Sequence, residues 1–136
     1  MFQQDYLMRL IMQFIRGLRQ SMDRSKVNPT DAAASVEDAI ATALDLDADV
    51  MLGLHPQSFA SILSVSGTDS HVVDYLMRGL MLEAHYLDEA GDATTANLRR
   101  DQAIALAEAY EKEPPSPDDI LSEDDLDRME QEVSEL

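Results

Sequence analysis

Residues 70–110 read SHVVDYLMRGLMLEAHYLDEAGDATTANLRRDQAIALAEAY, and this stretch decides the fold. Val73, Leu76, Leu80, Ala84 and Leu87 recur at three- and four-residue steps, the period of one helical face. Gly91 stops the pattern, because glycine takes the left-handed conformation that ends a helix at no steric cost. Asp92 can cap a new helix at once by accepting a backbone N–H bond. Ala96, Ala103, Ala107 and Tyr110 follow at helical spacing. Small residues so spaced let two helices approach closely. The stretch predicts a long helix over about Ser70–Ala90 with a second helix folded back on it.

Working toward the N-terminus, Ser64–Ser70, with Gly67, reads as a loop. Pro56 opens a short helix, where its missing N–H costs nothing. Phe59, Ile62 and Leu63 give that helix a buried side. Residues 45–56 read as a connection holding a short apolar turn, Val50-Met51-Leu52. Before it, Val36, Ile40 and Ala43 or Leu44 mark a helix expected to be capped by Thr30 or Asp31. Asn28-Pro29-Thr30 separates it from a first helix over about Gln3–Met22. There Leu7, Ile11, Phe14 or Ile15, Leu18 and Met22 trace the apolar stripe, and Tyr6, Leu10 and Phe14 widen it. Arg9, Arg16 and Arg19 fall largely on the other side. No alternating run is long enough for a strand, so the expected class is all-α, an antiparallel helical bundle.

Toward the C-terminus, Pro114-Pro115-Ser116-Pro117 ends the compact region, since proline-rich spacers are stiff and extended. The expected organisation is a helical domain over 1–113, a proline-rich linker over 114–117 and an acidic amphipathic tail over 118–136. In the tail, Ser122 and Asp125 resemble a capping pair with a shorter acid in the Glu position. Leu126, Met129, Val133 and Leu136 form a narrow apolar stripe on a helix that is marginal in isolation.

The 136-residue chain carries a formal charge of −17. That charge disfavours nucleic acid, which demands cations for its phosphates. Its distribution is uneven. Arg9, Arg16, Arg19, Arg24 and Lys26 stand in the first thirty residues, whereas residues 113–136 hold ten acids against Arg128. The absence of cysteine removes disulfides, thiolate metal sites and cysteine nucleophiles. The longest apolar run near the start, Leu10-Ile11-Met12, is far short of the roughly 20 residues of a membrane span. The start also lacks a signal-peptide pattern, so a cytoplasmic location is expected.

Two resemblances add to this reading. Residues 84–104 resemble one tetratricopeptide hairpin, with Ala84, Leu87, the Gly91-Asp92 turn, Ala96 and Ala103 at its small and apolar positions. Arg100 replaces the aromatic expected four after Ala96, and the expected proline comes late, at Pro114. No second copy follows, so a repeat array is not implied. Residues 1–112 also resemble an uncharacterised family of small bacterial helical proteins that begin Met-Phe-Gln-Gln-Asp-Tyr. That likeness implies a helical protein and supplies no activity or catalytic residue.

Candidate chemistry is sparse. His55, His71 and His85 make no i,i+4 pair, and His71 and His85 would stand some 20 Å apart on one helix. They read as surface histidines. Asp45-Leu46-Asp47-Ala48-Asp49 opens like a calcium loop, but Val50 stands where glycine is needed and Pro56 where the bidentate glutamate belongs. Helix capping and solvation account for those aspartates. The acids fall nearly all on predicted outer faces or in the tail, and no nucleophile elbow or phosphate loop accompanies the serines. The eight methionines read as core gap-fillers. No catalytic, cofactor or metal site is therefore expected.

The leading expectation is a non-catalytic adaptor or scaffold that binds a protein partner or its own copies. The runner-up is a peripheral membrane protein held by the basic amphipathic first helix. The third is an enzyme with an unrecognised site. The candidate docking residues are Leu126, Met129, Val133 and Leu136 in the tail, with Arg16 and Arg19, and behind them Arg24 and Lys26, as the basic counterpart.

Overall fold

A computed structural model describes residues 2–45 and 47–135. The elements are α1 (Phe2–Ser25), α2 (Pro29–Leu44), α3 (Ala48–Met51), α4 (Pro56–Val65), α5 (Ser70–Glu89), α6 (Ala93–Ala109) and α7 (Glu123–Ser134). The protein is an all-helical bundle with no strand among the described residues. No described helix is long and apolar enough to cross a membrane.

Local chemistry sets most helix ends. Asp92 accepts the Thr95 N–H at 3.2 Å, and Gly91 before it has φ 85°. Ser122 and Asp125 form a reciprocal capping box. The cap of α2 differs from expectation. Asn28 fills it, accepting the Thr30 N–H at 2.8 Å, because Pro29 has no N–H to be capped and its fixed φ suits the first helical position. Residues 48–51 make a full helical turn, started by Asp47, whose carboxylate accepts the Asp49 N–H at 3.0 Å. Met51 and Leu52 are buried while Val50 faces out.

Helix α5 is the central element. It packs against α6, α2 and α1; α4 packs against α6, and α7 against α1. Val72, Val73, Leu76, Leu80, Leu82 and Leu87 of α5 are buried, as are Ile11, Phe14, Ile15, Leu18 and Met22 of α1. Ala96, Ala103 and Ala107 of α6 are fully enclosed. Two glycines set the closest approaches. A Cβ on Gly17 would lie 2.6 Å from Ala39 Cβ, and one on Gly79 would lie 2.6 Å from Phe14 Cζ. The α1 backbone thus sits against the α2 surface, and the Phe14 ring against α5.

Candidate protein-interaction surface

The tail stripe lies inside the molecule. Leu126, Met129 and Val133 are 0%, 1% and 0% exposed, within the same apolar cluster as α1 and α5. Leu136 lies outside the described residues. Leu121 joins the stripe at 5% exposure. It precedes the Ser122 cap, and Leu126 is the fourth residue of the helix, the spacing of a hydrophobic staple. That spacing was a signal in the sequence for one further docking residue.

Of Arg16, Arg19, Arg24 and Lys26, Arg19 alone bonds to the tail among the described residues. Its Nη2 donates to Glu130 Oε1 at 2.8 Å and to Asp127 Oδ1 at 3.0 Å. These bonds, to Glu130 first, hold the guanidinium above its ordinary pKa. Arg24 turns to α2 and donates to Ser35 Oγ at 2.7 Å, while Lys26 pairs with Asp23 at 3.6 Å. Arg16 is exposed, and among the described residues neither it nor Arg9 makes an ion pair.

The direction of α7 follows from its neighbours. Phe14 meets Gly79, and Ser21 meets Tyr86, so α1 and α5 run parallel. Asp125 lies near Arg78, whereas Glu132 closes a small cavity with His71, Asp74, Tyr75 and Arg78. Helix α7 therefore runs antiparallel to both, and its C-terminal end points along α1 toward Met12 and Met8. There Asp5, Met8, Arg9, Met12 and Arg16 line an open concavity of about 370 Å³. Met8 and Met12 are half-buried, so these two are surface methionines in part, unlike Met22, Met77, Met81 and Met129.

On the opposite flank of α1, a groove of about 580 Å³ is lined by Tyr6, Leu7, Leu10, Leu44 and Val72, with Asp69 and His71 at its edge. Its edge carboxylate is already engaged: Asp69 caps α5 through the His71 N–H at 2.7 Å and also meets the His71 ring at 3.2 Å. The broad apolar face of α1 that would enter a bilayer is occupied by α2, α5 and α7.

One buried polar cluster departs from the expectation that acids lie outside. Glu83 is fully enclosed. Arg99 Nε donates to its Oε2 at 2.6 Å, Nη1 donates to Leu52 O at 2.7 Å, and Nη2 reaches Glu37 Oε1 at 3.3 Å. Gln102 Nε2 donates to Leu52 O and Leu54 O, each at 3.0 Å. The cluster ties α2, α5, α6 and the α3–α4 connection together. Its pairing makes it a structural clamp, because every Arg99 nitrogen is committed to the protein. The sequence carried one signal for it: Leu80-Met81-Leu82 and Ala84 surround Glu83, and a helix apolar on all sides is buried.

The histidines stand apart. His55 caps α4, His71 sits at the start of α5, and His85 pairs with Glu89 at 3.1 Å. The geometry thus seats α7 on α1 and brings together no convergent set of reactive groups among the described residues. Comparison with protein-family models, with curated proteins and with solved structures gives no match.

Proposed function

We propose that this chain is a non-catalytic protein–protein interaction protein whose docking surface is the outer side of α1. In this reading α7 is the resident occupant, held until a partner takes its place. The observation that carries it is the seating of α7 itself. A short acidic helix beyond a proline spacer is attached through Leu121, Leu126, Met129 and Val133 and through the half-exposed ion pairs of Arg19. Burying four apolar side chains and ordering a dozen residues are opposed terms of similar size. A helix this short has little stability of its own. Its attachment is therefore weak relative to the bundle and suited to exchange.

Hydrogen exchange tests the reading. Amides of residues 123–134 should exchange well before those of α5, and faster at high salt, because the half-exposed Arg19 pairs are screened. Exchange of α7 together with α5, with no salt dependence, would show a permanent part of the core and reject the proposal.

A further inference from the structure

Among the described residues, the α1 surface is longer than the helix that covers it. Arg19, Arg16, Met12, Arg9, Met8 and Asp5 succeed one another at steps that keep to one side of α1. From Asp5 to Met22 this track measures about 26 Å at 1.5 Å per residue, whereas the 12 residues of α7 span about 18 Å. The covered half shows what the track accepts: apolar side chains on the core-facing side and carboxylates on the basic edge. The uncovered half repeats that chemistry, with Met8 and Met12 at its centre and the exposed Arg9 and Arg16 beside them.

We infer that the partner is an acidic amphipathic helix longer than α7, which lies antiparallel along the whole of α1 and displaces α7. The uncovered stretch, from Asp5 to Met12, is about two turns, too short to hold a separate helix. A longer helix gains both halves and so outcompetes a tethered one that gains only the first. Methionines suit such a surface, because their flexible side chains adapt to different apolar partners. The overall charge of −17 opposes an acidic ligand at long range. At about 0.15 M salt the screening length is about 8 Å, so that repulsion is largely screened while contacts at the arginines persist. This inference rests on the exchangeable α7 proposed above and adds the class of partner.

The test uses the full chain and two labelled peptides. One is residues 122–135. The other extends that sequence at its C-terminal end to about 20 residues, long enough at 1.5 Å per residue to reach Met8. The added turns carry leucine toward Met12 and Met8, and glutamate on the flanks. The extended peptide should bind about tenfold more tightly than the short one, the gain from burying added apolar side chains. Its binding should strip protection from α7 amides, and Met8→Glu and Arg16→Glu should each remove most of the gain while leaving the short peptide unaffected. Arg9→Gln is the milder second variant should Met8→Glu disturb folding.

Equal affinity of the two peptides, or insensitivity of the extended one to Met8→Glu and Arg16→Glu, overturns the inference while salt-dependent opening of α7 still supports the reading beneath it. Arg16-dependent binding to phosphatidylglycerol–phosphatidylcholine vesicles, without peptide binding, also overturns it in favour of a membrane surface. If α7 stays protected at every salt and peptide concentration, the exchangeable α7 fails and the inference with it.

Discussion

Arg99 and Glu83 meet inside the core, Nε to Oε2 at 2.6 Å, with side-chain exposures of 6% and 0%. The other oxygen of Glu83, Oε1, has no hydrogen-bond partner among the described residues. Burial pushes the Glu83 carboxyl well above the usual carboxylate range; the Arg99 charge opposes that shift, and Glu37 on the same guanidinium adds to it.

The pH dependence has a definite sign. An acid whose folded pKa is raised binds its proton more tightly folded than unfolded. Stability is then lost as pH rises from the unfolded value, about 4.3, through the folded one. Glu83→Gln removes the titration. Urea melts of the variant and the parent should therefore diverge in the variant's favour as pH rises from 5 to about 8. A difference that stays constant with pH would place the titration elsewhere.

Removing the cation has the larger effect. Arg99→Met leaves the buried Glu83 carboxyl without its donor and takes one of two donors from Leu52 O, which keeps Gln102. It should destabilise the fold by about 3–5 kcal/mol, the range for breaking a buried pair from one side. The double variant with Glu83→Leu should recover part of that loss, since an apolar replacement of both partners restores a satisfied core. A loss below about 1 kcal/mol, the scale of an exposed pair, would put Arg99 in solvent.

The α1–α2 contact predicts an epistatic pair. Gly17→Ala brings two Cβ atoms to 2.6 Å. Overpacking costs about 1–3 kcal/mol and outweighs the roughly 0.5–1 kcal/mol that alanine gains over glycine in a helix. Gly17→Ala should therefore destabilise, and Ala39→Gly in the same chain should reverse the clash. A double-mutant cycle with no coupling would separate α1 from α2 at this level.

The α5–α6 seam makes a parallel claim at Ala103, which is 0% exposed. Ala103→Phe should lower the urea midpoint by the equivalent of about 1–3 kcal/mol. An unchanged midpoint would mean that Ala103 faces water.

The tail predicts a separable loss. Val133→Asp puts a charge where exposure is 0% and should release α7. A chain cut after Glu113 should keep the remaining helices, because α2, α5 and α6 pack without α7. Far-ultraviolet circular dichroism should fall by the α7 share alone in both variants. Collapse of the whole helical signal would make α7 part of one cooperative unit.

By itself the sequence determined what is local. The apolar period of α1 and α5, the Gly91 stop, the Asp92 and Ser122 caps and the Pro56 start all act within a few residues, through backbone geometry and short-range hydrogen bonds. The same local chemistry exposed its limits at α2, where Asn28 and Thr30 are both capping residues and the position of Pro29 decides between them. The tail stripe was legible as a stripe, and the staple spacing of Leu121 and Leu126 stood beside it. Only the tertiary structure decided what covers each surface. It sends Arg99 inward to Glu83 and its neighbour Arg100 outward to Asp88, a choice that two adjacent arginines do not reveal. It pairs Arg19 with α7 and leaves Arg16 exposed, although both stand in the same basic segment. These outcomes depend on contacts between residues up to 111 positions apart, whose geometry is fixed by how whole helices pack rather than by their neighbours in the chain.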